Sequence, residues 1–301
     1  MNASTSQVTG ATAGVGLETA ARLARMGATV LVAGRDAART AAAVDSINKR
    51  CGRDGAARGI PLDLCSLESV RACAAAAPRL DILILNAGTN ANLPTPTHPD
   101  MDCSLVFGVN FVAQWLLCTL LHPKLAEDAR VVCLSSVAHH HAVDVSGASA
   151  DYGESKLAML LFARALARGD LGGRRVDAVA VNPGAVASDI WRHVWRPFRG
   201  ALAGVAALLF LTPDQASAPS VAAAAAPLSV DADGLPAYLS PYWTPSPGSP
   251  VPGKSAFEFL GVFVGAAPAY ARVPRDEAAV AAALWARCEA LVGGGASPRG
   301  R

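Results

Sequence analysis

An α/β fold, with a doubly wound parallel sheet covered by helices on both faces, is what this sequence predicts. Three observations predict it. Short, continuous apolar runs recur at 28–34, 81–88, 130–136 and 176–184, as strands buried on both faces require. Alanine- and leucine-rich windows at 17–26, 66–76, 104–121 and 153–168 lie between them, and strand–helix alternation of this kind builds a three-layer α/β/α sheet. A glycine-rich turn, TGATAGVG at 9–16, stands ahead of the first helical window. Right-handed crossovers bring the carboxyl ends of such strands to one edge, where ligands bind.

The elements follow in order. Only Val8 is apolar among the residues just before the turn; Ser4, Thr5, Ser6 and Gln7 make an unusually poor first strand. Gly10, Gly14 and Gly16 let the backbone approach a pyrophosphate, whose charge a helix N-terminus from Leu17 stabilises; a tight strand–helix turn without ligand is the bland alternative. The runs ATVLVAG, DILILNAG, RVVCLSS and VDAVAVNPG then supply four buried strands. After residue 190 the regularity weakens. The apolar run 201–211 is too short for a bilayer span of about 20 residues; it reads as core or pocket wall, with a peripheral membrane contact as the alternative. The five alanines at 222–226 read as helix interior, and six prolines in 235–253 make 235–275 an irregular excursion. A last helix at 276–292 precedes a flexible tail, 293–301, so residues 1–292 form one domain.

Composition narrows the function. With 301 residues, 52% hydrophobic and 17% charged, the chain buries a large core and is not disordered. A formal net charge of +2 gives no reason to expect a nucleic-acid partner. The seven cysteines are irregularly spaced, without a CxxC pair, and read as reduced thiols of a cytoplasmic compartment. No signal peptide or transmembrane run is legible. Three consecutive histidines, 139–141, cannot all face one ion, and no other ligand sits at metal spacing nearby; no metal is assigned, and they read as a polar substrate-side loop.

Seven motifs stand in a telling order: TGATAGVG, LDLCSLESVR, NAG at 86–88, FGVNFVAQWLL around Asn110, the serines 135–136, YGESK at 152–156 and, closing the series, NPGAVAS at 182–188. Over roughly 8–292 the chain resembles the short-chain dehydrogenase/reductase family, a Rossmann-type fold. LSSVAHH, YGESKLAMLLFARALA and LWARCEALVG are most similar to its retinol-dehydrogenase-like and WW-domain-oxidoreductase-like members.

The resemblance implies a catalytic set of Asn110, Ser136, Tyr152 and Lys156. Tyr152 would exchange a proton with the substrate oxygen; a tyrosine of pKa near 10 needs a neighbouring cation to do so. Lys156, at i+4, lies on the same helix face. Ser136, rather than Ser135, would polarise the carbonyl, and Asn110 would organise a proton relay behind Lys156. Gly10, Thr12, Ala13, Gly14, Val15 and Gly16 would hold the cofactor phosphates, and Asp63 and Leu64 its adenine. Asn86, Ala87 and Gly88 would line the adenine ribose, and Pro183, Gly184, Val186 and Ser188 the nicotinamide. NAD enzymes end the second strand with an acid on the ribose diol. Here Gly34 holds that position and Arg35 follows, favouring NADP(H) over NAD(H).

The expected activity is interconversion of an apolar alcohol and its aldehyde or ketone, with Trp191, Trp195 and Phe198 against the substrate. A catalytically weak NADP(H)-binding scaffold and a protochlorophyllide-reductase-like double-bond reductase are the alternatives. A homodimer or homotetramer through the long helices is implied by the resemblance.

Overall fold

The computed structural model describes residues 4–90, 96–142, 145, 152–170, 174–184, 186, 211–243, 263–268 and 273–293, with backbone alone at 241–243 and 263–268. Eight strands form one sheet in the order β3-β2-β1-β4-β5-β6-β7-β8. They are β1 (Thr5–Thr9), β2 (Thr29–Gly34), β3 (Ala57–Pro61), β4 (Leu80–Leu85), β5 (Leu125–Leu134), β6 (Asp177–Val181), β7 (Leu239–Trp243) and β8 (Phe263–Pro268). The pairs from β3 across to β7 are parallel, and β8 returns antiparallel on β7. The predicted fold class is the one found.

Strict alternation along the strands explains the three layers. Val30, Val32, Ile82, Ile84, Val132, Val179 and Val181 face one core, with helices α1 (Gly14–Arg25), α2 (Ala37–Cys51) and α7 (Pro213–Ala225) over them. Leu31, Leu83, Leu85, Val131, Ala178 and Ala180 face the other. That face is covered by α3 (Leu67–Ala76), α5 (Ala113–Leu121), α6 (Tyr152–Arg168) and α8 (Glu277–Gly293). A short α4 (Leu105–Phe107) leads into α5 through a π-helical turn, Gly108–Val112. Among the described residues one helical span, Leu105–Lys124, is long and apolar enough to cross a membrane. Its most apolar window is 72% buried inside the fold, as a core helix is.

The poor first strand is central and fully paired, in register with β2 and β4. Ser6, Gln7 and Thr9 are completely buried. Gln7 Nε2 donates to Cys73 Sγ (3.6 Å), and the Thr9 hydroxyl donates to Gln114 Oε1 (2.7 Å). Ser6 Oγ and Gln7 Oε1 have no hydrogen-bond partner among the described residues, each at a cost of about 1–3 kcal/mol. Backbone ladders and the surrounding apolar faces carry the strand despite this.

Two expectations are corrected. The excursion 235–275 is not irregular throughout, because β7 and β8 lie within it. Pro241 in β7 cannot donate to a ladder and lies beyond the β6 pairing, which reaches only Leu239, so the strand is masked in the sequence. The histidine run is not a loop: 137–141 form a 3-10 turn (Val137–His141) in which His139 is fully buried. Its Nδ1 lies 2.6 Å from the Ser136 carbonyl, and its ring meets Tyr238 edge-on at 5.2 Å.

Candidate active site

The sheet order reverses between β1 and β4, and the loops leaving their carboxyl ends diverge there, opening a crevice. Gly10 leaves β1 at φ +65°, and a Cβ there would lie 2.9 Å from Ala87 Cα. Only glycine lets these two loops touch. Gly16 packs as closely, a Cβ falling 2.4 Å from Asn86 Nδ2. Gly14, at φ +57°, would meet nothing within 4 Å; it borders open space. Ala13 at the N-cap of α1 makes no side-chain cap, so the first N–H groups of the helix are left for an anion. These features fit a dinucleotide pyrophosphate.

The remaining cofactor candidates surround that crevice. Asn86 is locked by three bonds: its amide nitrogen Nδ2 donates to the Thr9 carbonyl (2.8 Å), while the backbone N–H groups of Asn86 and Ala87 both donate to Thr9 Oγ1 (2.9 Å). Asp63 accepts from the N–H of Cys65 (2.9 Å), which holds the 63–65 turn, and Leu64 is buried. Thr12 stands over Gly34, where a Cβ would collide with Thr12 Cγ2 at 2.6 Å and Thr40 Oγ1 at 2.7 Å. No side chain fits at the end of β2, and the exposed Arg35 follows. Pro183 and Gly184 follow β6, the Gly184 N–H donating to Asn182 Oδ1 (3.0 Å), and Val186 is buried. Ser188, Trp191, Trp195, Phe198 and most of 201–211 lie outside the described residues.

The four catalytic candidates come together at the same edge. Tyr152 opens α6, and its side chain lies beside Ser136, which follows β5. Burial pushes the phenol up to about 12, and Ser136 pulls it back in part. Lys156, buried one turn on, holds its Nζ 5.3 Å from the Tyr152 ring centre and donates to the Leu134 carbonyl (3.0 Å). Burial lowers its pKa to about 8. Asn110 sits fully buried in the π turn, a helical irregularity frequent at functional sites. Its Oδ1 accepts from the Thr89 N–H (2.7 Å), and its Nδ2 donates to the Thr89 carbonyl (2.9 Å) and Ser155 Oγ (3.1 Å). A Cβ on Gly88 would sit 3.6 Å from both Asn110 Oδ1 and Lys156 Nζ, so both groups border the same small space.

The two serines divide the work. Ser135 is buried and donates to the Lys156 carbonyl (2.8 Å), tying β5 to α6, while Ser136 faces Tyr152. Sequence reasoning missed Thr9, Gln114 and Ser155, polar residues whose signal lay in their positions, one at the end of a central strand and two on core helices. Among the described residues no group of three or more His, Cys, Asp or Glu could hold a metal.

Comparison with known proteins gives the family. The short chain dehydrogenase family model matches residues 5–197. Mouse polyprenol dehydrogenase is 38% identical over 240 residues, covering 73% of this chain and 71% of that protein. Mouse retinol dehydrogenase 12 is 39% identical over 214 residues, with coverage of 64% and 66%; the chain thus spans about two thirds of these relatives. An uncharacterized protein of Mycobacterium paratuberculosis has a similar structure, with a TM-score of 0.70 at 29% identity over 96% of this chain and 93% of that one. The NADP complex of RhlG from Pseudomonas aeruginosa gives a TM-score of 0.59 at 29% identity, with coverage of 74% and 90%. A Tyr–Lys pair one helical turn apart, a strand-end serine against the tyrosine and a glycine turn opening on the same crevice therefore sit in a chain that belongs to the short-chain dehydrogenase family, as an oxidoreductase of its retinol-dehydrogenase-like branch.

Proposed function

We propose that this protein is an NADP(H)-dependent oxidoreductase that interconverts an apolar primary or secondary alcohol and its carbonyl. The observation that carries the reading is the Lys156 ammonium 5.3 Å from the Tyr152 ring centre, with Ser136 beside that tyrosine, at the edge that the Gly10–Gly16 turn also borders. When bound, the nicotinamide supplies the hydride to a carbonyl carbon or takes it from an alcohol. Ser136 donates to the substrate oxygen and fixes it. Tyr152 gives that oxygen its proton in reduction and removes it in oxidation. Lys156, charged below about pH 8, favours the phenolate that results, offsetting the burial that otherwise disfavours it. Asn110, clamped by Thr89 and Ser155, keeps a polar group beside Lys156.

Preference for NADP(H) is supported by the crowding at Gly34, which leaves no room for the ribose-binding acid, and by the guanidinium of Arg35 next to it, suited to a phosphate. An apolar substrate is supported by the names of the relatives, dehydrogenases of polyprenol and retinol. The test is Tyr152→Phe with a long-chain aldehyde and NADPH. Turnover should fall by about 10²–10⁴-fold while NADPH still quenches tryptophan fluorescence with the wild-type midpoint. Retained turnover would remove Tyr152 from the mechanism.

A further inference from the structure

Gln114 lies on α5 with its side chain completely buried, four residues beyond Asn110. Its carboxamide has three partners drawn from three different parts of the chain. Oε1 accepts from the Thr9 hydroxyl (2.7 Å); Nε2 donates to the carbonyls of Ala87 (2.9 Å) and Asn110 (2.8 Å). The orientation of the amide is dictated by chemistry, since two carbonyls can face only the NH₂ end. The Thr9 hydroxyl, its one hydrogen committed to Gln114, accepts the N–H groups of Asn86 and Ala87. A closed polar network thus joins the last residue of β1, the 86–88 loop and the backbone of the π turn.

We infer that Gln114 is a positioning residue: it locks the strand that ends in the glycine turn and the loop at Ala87 to the backbone of Asn110, so that the cofactor-side loops and the proton-handling side chains hold one geometry. The inference rests on the oxidoreductase reading for its kinetic consequence, though not for its structural one. Asn110 is held on two sides. Thr89 and Ser155 fix its side chain, and Gln114 fixes its carbonyl, inside a turn where helical hydrogen bonding has been shifted from i+4 to i+5. A buried network of this kind is stiff when every member is satisfied and costly when one is lost. It also accounts for the buried threonine at the end of β1.

Three variants test it: Gln114→Leu, Thr9→Val and the double variant, with Gln114→Glu as the conservative control. In the nucleotide-free protein, amide hydrogen exchange at 86–89 should quicken by at least tenfold in either single variant. Reductase kcat should fall tenfold or more in Gln114→Leu, and the double variant should lose no more than threefold beyond the worse single one, because one network is broken once. In Gln114→Glu only a protonated carboxyl can donate to the carbonyls, so its kcat relative to wild type should climb severalfold from pH 8 to pH 6. Unchanged exchange at 86–89, multiplicative losses in the double variant, or a flat relative pH profile would each overturn the inference. If Gln114→Leu does not fold, exchange in Thr9→Val and the pH profile of Gln114→Glu decide the same question. Wild-type protein inactive on every carbonyl would sink the oxidoreductase reading alone, leaving the exchange result to decide the role of Gln114.

Discussion

Lys156 is kept where its charge is costly. Burial lowers its pKa from 10.5 to about 8, so the folded chain gives up that proton earlier than the unfolded one. Between those two values the unfolded state binds more protons, and stability rises with pH. Wild type should therefore gain about 2 kcal/mol relative to Lys156→Met between about pH 7.5 and 9.5 in urea unfolding; a constant difference would mean the ammonium is not desolvated. The role of this lysine came from the resemblance, and its i+4 spacing placed it on the same helix face as Tyr152. The choice of Ser136 over Ser135 came from resemblance, and the geometry adds a physical reason: Ser135 is already committed to the Lys156 carbonyl. Thr9 and Gln114 were illegible because a lone polar residue announces a partner without saying which. Their 105-residue separation is closed only by the fold.

At the scale of elements, apolar runs disclosed β2, β4, β5 and β6, while β1, β3, β7 and β8 were harder to read. In β3 only Ala57 and Ile60 are buried, with Arg58 and Gly59 exposed, too short a pattern to stand out. In β7 a proline hides the strand. In β1 three polar side chains occupy buried places, and pairing on both sides overrides propensity. The attachment of the C-terminal elements was likewise unreadable. Arg164 of α6, almost wholly buried, binds Asp231 and Asp233 of the segment before β7 and Glu277 of α8. Burial works against its charge, and the bonds from Glu277 and Asp231 more than restore it. Glu277 keeps Arg168, Asp231 keeps two backbone N–H donors and Asp233 is exposed, so removing Arg164 costs less than breaking a fully buried pair, about 3–5 kcal/mol. Arg164→Met should accordingly lower the melting temperature by several degrees in calorimetry, and an unchanged melting point would show that solvent screens the cluster.

Among the described residues, different helices cover the two faces of the sheet, and the loops after β1, β2, β4 and β5 gather at one edge. Trp285 of α8 packs on Phe111 and Phe162 with ring centres 6.3 and 5.9 Å apart, covering them from within the chain. The open edge is what a nucleotide would join, bridging the loops after β1, β2 and β4, whose existing ties include Thr9, Asn86 and the Gly10–Ala33 backbone bond. The most direct measurement is the thermal stability of the purified chain with NADP⁺, with NAD⁺ and with neither, repeated on Arg35→Ala. At about a hundred times its dissociation constant a ligand adds roughly 2.7 kcal/mol to the native state, a rise of several degrees in a chain of this size. A shift with NADP⁺ that is lost in Arg35→Ala is the predicted result; no shift with either nucleotide would contradict the account at its centre.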